Sequence, residues 1–224
     1  MKVAVIGRGK TGSAVIDCLG KDNIHDIYHS QNPVTAEKLR GADVAIVFVP
    51  GTHFASILSA LVAADLPVVC GVTGFAWPDR WQTALTQPWV CGHNFSLAMY
   101  FVRQCLGQLG KLDQVVPEAQ FALSETHHIH KVDAPSGTAL HWRDWLGQDC
   151  DITAKREGEV KGFHELTVDL PFETITLNHN AKDRQLFAQG AIWAARYLCE
   201  HTLPPQAYDF YQMLDDAIGA SSCQ

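Results

Sequence analysis

The 224-residue chain has no Cys-x-x-Cys pair, no block of basic residues, no internal repeat, no low-complexity linker and no long uninterrupted apolar run. Each absence closes off a class of protein. The seven cysteines, Cys18, Cys70, Cys91, Cys105, Cys150, Cys199 and Cys223, are odd in number and scattered. That fits neither a disulfide framework nor a zinc site, and reads as reduced, mostly buried thiols. A net charge of −7 with a pI near 5.8 argues against general nucleic-acid binding, which needs clustered Lys and Arg, so any anion site must be local. The amino terminus passes from Met1-Lys2 into a short strand pattern and a glycine turn, too soon interrupted for a signal peptide or a membrane span. The expectation is a cytoplasmic protein with neither a membrane nor a nucleic acid as partner. What remains, 47% hydrophobic and 18% charged residues, is the ordinary composition of one large or two small packed domains.

Lys2-Val-Ala-Val-Ile6 is a continuous apolar run of the kind buried on both faces of a parallel sheet. It runs directly into Gly7-Arg-Gly-Lys-Thr-Gly12 and then into a helical Ser13–Leu19. A G-x-G-x-x-G alone is weak, but strand, glycine turn and helix in that order give it meaning. Gly7 serves the tight turn, Gly9 the close approach of a pyrophosphate, and Gly12 helix-on-strand packing, with Arg8, Lys10 and Thr11 on the same turn. A cofactor with a free ribose 2′-hydroxyl is usually met by an acid about twenty residues on. Here that neighbourhood is Tyr28-His-Ser-Gln-Asn32, without a carboxylate, whereas Arg8 and Lys10 add two cations. The reading leans toward NADPH and leaves NADH open.

Two further strand-helix units follow, Ala42–Pro50 into Phe54–Val62 and Pro67–Thr73 into Trp77–Leu85. The alternation implies a parallel sheet with right-handed crossovers, whose ligands sit beyond the carboxyl ends of the strands. Pro50–His53, Gly71–Phe75 and Gly92–Ser96 are therefore the candidate loops, with Gly71, Val72, Thr73, His93, Asn94 and Phe95 expected to meet the cofactor. An apolar helical pattern from Ser96 to Leu109 leads to a different texture. Gln114–Leu123, Asp151–Arg156, Phe163–Asp169 and Glu173–His179 are strand-like, the last three alternating polar with apolar as sheets covered on one face do. Helices are expected at Thr138–Leu146, Phe187–Leu198 and Tyr208–Ile218. The fold class is α/β: a Rossmann-type parallel sheet plus an α+β domain with an open, mixed or antiparallel sheet.

The densest chemistry lies in Glu125-Thr-His-His-Ile-His-Lys-Val-Asp-Ala-Pro-Ser-Gly-Thr-Ala-Leu140. Three imidazoles and Lys131 precede Pro135, which disfavours helix before it, and Ser136-Gly137-Thr138 opens one after it. Amides at that helix start, with the Ser136 and Thr138 hydroxyls, make a ready carboxylate site. His127 and His128 are adjacent rather than three or four apart on a helix, so no metal is expected.

Glu125-x-His-His-x-x-Lys-x-Asp-Ala-Pro-Ser-Gly-Thr-Ala139 resembles the signature of the dihydrodipicolinate reductase family at every fixed position. Those enzymes reduce a cyclic, dicarboxylated imine with a nicotinamide cofactor on the route to lysine and diaminopimelate. The resemblance extends to Gly71, Thr73, Gly74 and to Asn94-Phe95-Ser96, with Val72 in place of a threonine and Leu97-Ala-Met-Tyr100 where the family usually has another sequence. It continues in Arg156-x-Gly-x-x-x-Gly162-x-His164 and His179-x-Ala-x-x-Arg184. It implies a dinucleotide domain at residues 1–96 and 192–224, and a substrate and oligomerisation domain at 97–191, assembled as a homotetramer. It further implies a small dicarboxylate substrate held by His128, Lys131, Ser136, Gly137 and Thr138, with His127 as acid/base and Lys131 as second choice. A related reductase of another dicarboxylate and a non-catalytic NADPH-binding regulator are the alternatives.

Overall fold

The structure is a computed structural model and describes residues 1–221, so Cys223 lies outside the described residues. Two compact units emerge, one of Met1–Leu97 with the chain from Arg184 onward, the other of Ala98–Asp183.

The first unit begins with β1 (Val3–Ile6), every residue of which is buried, as an apolar run without alternation requires. α1 (Lys10–Leu19) follows, then β2 (Ile24–Tyr28), β3 (Val44–Val47), α2 (Gly51–Ala63), β4 (Val68–Cys70) and β5 (Trp89–Cys91). Between β4 and β5 the expected Trp77–Leu85 helix is replaced by a turn at Asp79–Arg80 and a single 3-10 turn, Trp81–Ala84. Pro78 sits inside that stretch, and the apolar spacing is spent on an aromatic stack instead: the Trp77 and Trp81 rings lie 4.1 Å apart, and Phe54, Phe75 and Trp77 meet edge to face. After α3 (Leu97–Leu109) the chain builds the second unit with β6 (Gln120–His127), α4 (Gly137–Leu146), β7 (Ile152–Arg156), β8 (Phe163–Leu170) and β9 (Glu173–Asn180). β6 starts six residues later than the strand-like pattern, because Gln114 closes a 3-10 turn and the chain turns again at Pro117–Glu118, where the Ala119 amide donates to the Val116 carbonyl.

α5 (Gln185–Glu200) then returns to the first unit with a buried face of Ala188, Gly190, Ala191, Ala194 and Ala195. A Cβ on Gly190 would stand 1.7 Å from the Phe95 carbonyl oxygen, so this helix meets the 95–96 backbone only because it is small there. The expected helix from Tyr208 is instead a short strand, β10 (Ala207–Asp209), followed by α6 (Phe210–Ser221). The strand exists because β5 offers it an edge: Ala207, Tyr208 and Asp209 pair in parallel with Trp89, Val90 and Cys91. The six strands run in the order β10-β5-β4-β3-β1-β2, all pairs parallel. Successive strands leave β1 on opposite sides, so the topological switch falls between β1 and β3, where α/β sheets take their ligands.

In the second unit the order is β7-β6-β8-β9, mixed: β6 is parallel to β7 and antiparallel to β8. Leu123, Glu125 and His127 alternate along β6 toward the covered face, and Ala122, Ser124 and Thr126 toward the open one. Trp142 on α4 is fully buried, its ring 5.7 Å from that of His164 on β8 and its indole N–H directed at the Met99 sulfur, 3.2 Å away. The thiols depart from expectation. Among the six described cysteines only Cys70 and Cys150 are buried, while Cys18, Cys105 and Cys199 lie exposed, on helix positions outside the buried stripe. Among the described residues no helix is long and apolar enough to cross a membrane.

Candidate active site

At the end of β1 the backbone is forced into a conformation that a side chain could not share. Gly7 has φ +105°, and a Cβ there would sit 2.1 Å from the Phe48 carbonyl oxygen, just beyond β3. A Cβ on Gly12 would stand 2.0 Å from the Gly7 oxygen, whereas one on Gly9 would meet nothing within 4 Å. Gly9 is the residue before α1, and no side chain caps that helix. The turn is therefore closed on its protein side and bare on its outer side, which suits a phosphate bound by amides at a helix start.

Beside it opens a cleft of about 430 Å³ lined by Arg8, His29, Ser30, Val34, His53 and Ile57, among others. Arg8 thus faces the same cleft as the end of β2. Lys10, exposed, opens α1, and neither it nor Thr11 lines the cleft. A Cβ on Gly71 would fall 2.0 Å from the Phe48 ring, so this glycine lets the loop after β4 lie on that aromatic; Val72 is half-buried and Thr73 exposed. His93 is exposed, and Asn94 uses its side-chain oxygen to accept from the Ser96 amide at 2.9 Å. Phe95 points inward, 1% exposed and packed 4.6 Å from the Phe210 ring, leaving its backbone as the part that can meet a cofactor.

The second unit gathers side chains instead. Glu125 is wholly buried in β6. Its Oε1 accepts from the Ser136 amide at 3.0 Å and from Arg156 Nη1 at 3.3 Å, while its Oε2 lies 3.5 Å from His127 Nδ1 and 3.6 Å from His164 Nε2. Burial pushes this carboxyl up, but the Ser136 hydroxyl and amide, with His127 and His164, hold it below the usual carboxylate range. His127, 6% exposed, is pushed down by burial, against the pull of Glu125 and with the push of Lys131 and Arg156. His164 is driven by burial to about 4 and is neutral near neutral pH.

Arg156 ties the intervening loop to this core. It donates to the carbonyls of Lys131 and Asp133 as well as to Glu125. Lys131 Nζ lies 2.7 and 2.8 Å from the two oxygens of Asp133, whose carboxyl that contact keeps low. His128 is half-buried, its Nδ1 sealed from solvent without a hydrogen-bond partner. Ser136 departs from the expected arrangement. It is 2% exposed, its hydroxyl accepts from the Ala139 amide as the cap of α4, and it touches His164 Nε2 at 3.2 Å. The hydroxyl is thus spent inside the protein, while Gly137 and Thr138 remain on the outer side of the helix start.

His127, His128, Lys131, Ser136, Gly137 and Thr138 thus share one loop and one helix end, and the glycine turn and the 71–73 and 93–95 loops lie in the first unit. Sequence reasoning left out the buried Glu125 as a partner of His127, and gave Arg156 and His164 no definite place. The only signal was a carboxylate two residues before His127, on the same strand face. Glu125, His127 and His164 put three ligand-type atoms within 4.8 Å of one another. The spacing admits a divalent ion, but the Arg156 guanidinium already supplies positive charge to that carboxylate.

A parallel sheet with a bare glycine turn at its switch point, joined to a unit that buries an imidazole–carboxylate pair beside a cationic loop, defines a dinucleotide-dependent oxidoreductase. The family model for dihydrodipicolinate reductase, C-terminus, matches residues 97–215. Named 4-hydroxy-tetrahydrodipicolinate reductases of Christiangramia forsetii and Haloarcula marismortui are each 31% identical to it. The alignments cover 90% of this chain and 94% of the first relative, and 88% and 93% for the second. A solved dipicolinate-bound dihydrodipicolinate reductase from Paenisporosarcina superposes with a TM-score of 0.71 at 15% identity, over 93% of this chain and 97% of that one. The chain belongs to the dihydrodipicolinate reductase family.

Proposed function

We propose that the protein reduces the dihydrodipicolinate-type cyclic imine to tetrahydrodipicolinate at the expense of NADPH, in the route to lysine and diaminopimelate. The observation that carries the reading is the placement of His127 on a buried carboxylate, four residues before Lys131 and nine before the cap of α4. One loop can then grip a dianion and move a proton.

The glycine turn fits a dinucleotide, since Gly9 is open where Gly7 and Gly12 are filled, and the cleft beside it presents Arg8, His29 and Ser30 without a carboxylate. When bound there, the nicotinamide cofactor supplies a hydride to the conjugated ring of the substrate. The amides of Gly137 and Thr138 hold one carboxylate at the positive end of α4, and Lys131 and His128 meet the other. The ring left after hydride addition is an enamine that needs one proton at carbon. His127 delivers it, as an imidazolium that burial makes readier to give up its proton, and Lys131 stabilises the negative charge that develops. NADPH is preferred over NADH because the end of β2 carries His29 and Ser30 rather than an acid. The open face of the second sheet, with Ser124, Thr126, Thr167 and Thr176, is the surface through which a homotetramer forms.

A turnover assay with freshly generated dihydrodipicolinate tests this, read as oxidation of NADPH. Turnover with the imine and not with open-chain dicarboxylates is the expected result. Cofactor binding without turnover would leave only a dinucleotide-binding protein.

A further inference from the structure

We infer that Glu125 is a positioning residue that fixes the proton of neutral His127 on Nδ1 and so reserves Nε2 for proton transfer. The inference rests on the reading of His127 as the acid/base.

The argument begins with the sealed atoms. His127 Nδ1 and Glu125 Oε2 are both closed to solvent, neither has another hydrogen-bond partner, and they face each other at 3.5 Å. If Nδ1 carried its lone pair, two acceptors would oppose one another in a dry site, and both would remain unsatisfied. One proton on Nδ1 satisfies both. The other nitrogen points elsewhere: a Cβ added to Gly162, between β7 and β8, would stand 3.2 Å from His127 Nε2. Glycine at 162 therefore keeps room on the Nε2 side, where a ring carbon must approach.

The remaining neighbours agree with this assignment. The groups whose charge His127 feels are Glu125 from its own strand, Lys131 and Asp133 from the loop, and Arg156 from β7. His164 from β8 lies with its ring centre 5.1 Å away. His164 shares the same carboxylate oxygen at 3.6 Å but has a nearer partner in the Ser136 hydroxyl at 3.2 Å, and it stays neutral. Arg156 and the Ser136 amide occupy the other carboxylate oxygen, which pins the plane of the carboxyl and aims Oε2 at His127. When Nε2 takes up a proton from solvent, the imidazolium that results is stabilised by the same carboxylate. When it gives that proton to the substrate, the ring returns to the Nδ1–H form. No proton needs to pass to Glu125, which acts through His127 and does not touch the reacting atoms.

Long-range proton–nitrogen correlation NMR on the full chain labelled with ¹⁵N-histidine decides the matter without turnover. The expected spectrum of the wild type shows His127 protonated at Nδ1 at neutral pH. A wild type protonated at Nε2 would overturn the inference. In Glu125→Gln the Oε1 position still accepts from the Ser136 amide and Arg156, so the NH₂ faces Nδ1 and forces it to become an acceptor. The tautomer should flip, with kcat reduced about a hundredfold or more and KM for NADPH unchanged. A lowered kcat with the tautomer unmoved would mean that Glu125 only supports the fold, and sinks the inference. A flipped tautomer with full turnover would leave the Glu125–His127 pair standing and remove His127 from proton transfer, so the two readings fail separately.

Discussion

The glycine turn of the first unit and the His127–Thr138 segment of the second are the two places proposed here to meet anions, yet they share almost no devices. The turn works by subtraction. Gly7 and Gly12 are glycine because Phe48 and Gly7 carbonyls occupy the space of a side chain, and Gly9 is glycine where nothing protein-made approaches. The two cations on it, Arg8 and Lys10, are exposed. The second segment works by accumulation: Glu125 fully buried, His127 and His164 nearly so, Arg156 and Lys131 half-buried, all within one connected set of contacts. A backbone site of the first kind is indifferent to pH and tolerant of its surface charges. A site of the second kind stakes both chemistry and stability on protonation.

The sharpest way to break that comparison is His127→Gln. Loss of the acid/base should lower kcat by about two orders of magnitude or more, with cofactor affinity unchanged, because the dinucleotide site proposed at the glycine turn does not include this imidazole. Unaltered turnover in steady-state kinetics would show that the buried set is structural only.

Next comes stability against pH. His164 has a folded pKa of about 4 against an ordinary 6.5, so the unfolded chain binds the extra proton across that window. The contribution is fully present above the unfolded value and is lost as pH falls toward the folded one. Glu125, held low in the fold, adds a loss of the same sign at lower pH. Urea titrations should show roughly 2 kcal/mol less stability at about pH 5 than at about pH 7.5, much of it absent from His164→Gln. A flat profile would mean that the second unit hydrates its imidazoles.

How much of this could be read in the sequence follows the same division. β1, the turn and α1 are contiguous, and their residues specify one another over a few positions, so strand, turn and helix were legible to within three residues at the helix start. The cluster was legible only on its local side. His127, Lys131 and the start of α4 stand in one segment, but Arg156 and His164 reach Glu125 from β7 and β8, and strand register is what brings them there. Ser136 shows the same limit: a helix cap and a ligand-binding hydroxyl have the same local pattern, and the burial of Ser136 and Ala139, with Gly137 left exposed between them, is not written in that pattern. β10 was read as helix because its pairing partner lies more than a hundred residues away.

A smaller effect is expected at Lys131, where the two kinds of site come closest in behaviour. Lys131→Ala should weaken pyridine-2,6-dicarboxylate by about 1.5 kcal/mol in calorimetry with NADPH present, the low end for a charged hydrogen bond. The low end applies because Asp133 already shares the ammonium. Asp133→Asn frees that cation and should tighten the same ligand by about 0.5 kcal/mol. Equal loss from both variants would mean that the ion pair shapes the loop and that neither member meets the ligand.

The smallest effect separates Arg8 from Lys10, which the sequence presents as a pair and the structure does not. Arg8 lines the cleft with His29 and Ser30, at the end of β2 where the proposed NADPH preference is argued; Lys10 stands on α1 outside it. Both are exposed, so solvent screening limits each contact. Arg8→Ala should weaken NADPH by about 1 kcal/mol and leave NADH nearly unchanged, while Lys10→Ala should shift both cofactors by no more than about 0.3 kcal/mol. Titration of the two reduced cofactors by fluorescence measures all four numbers. If Arg8→Ala weakens NADPH and NADH alike, the guanidinium serves the pyrophosphate common to both, and selectivity must come from His29 and Ser30 themselves. If Lys10→Ala carries the selective loss instead, the 2′-phosphate lies over the start of α1, and the cleft beside β2 is left to the adenine alone.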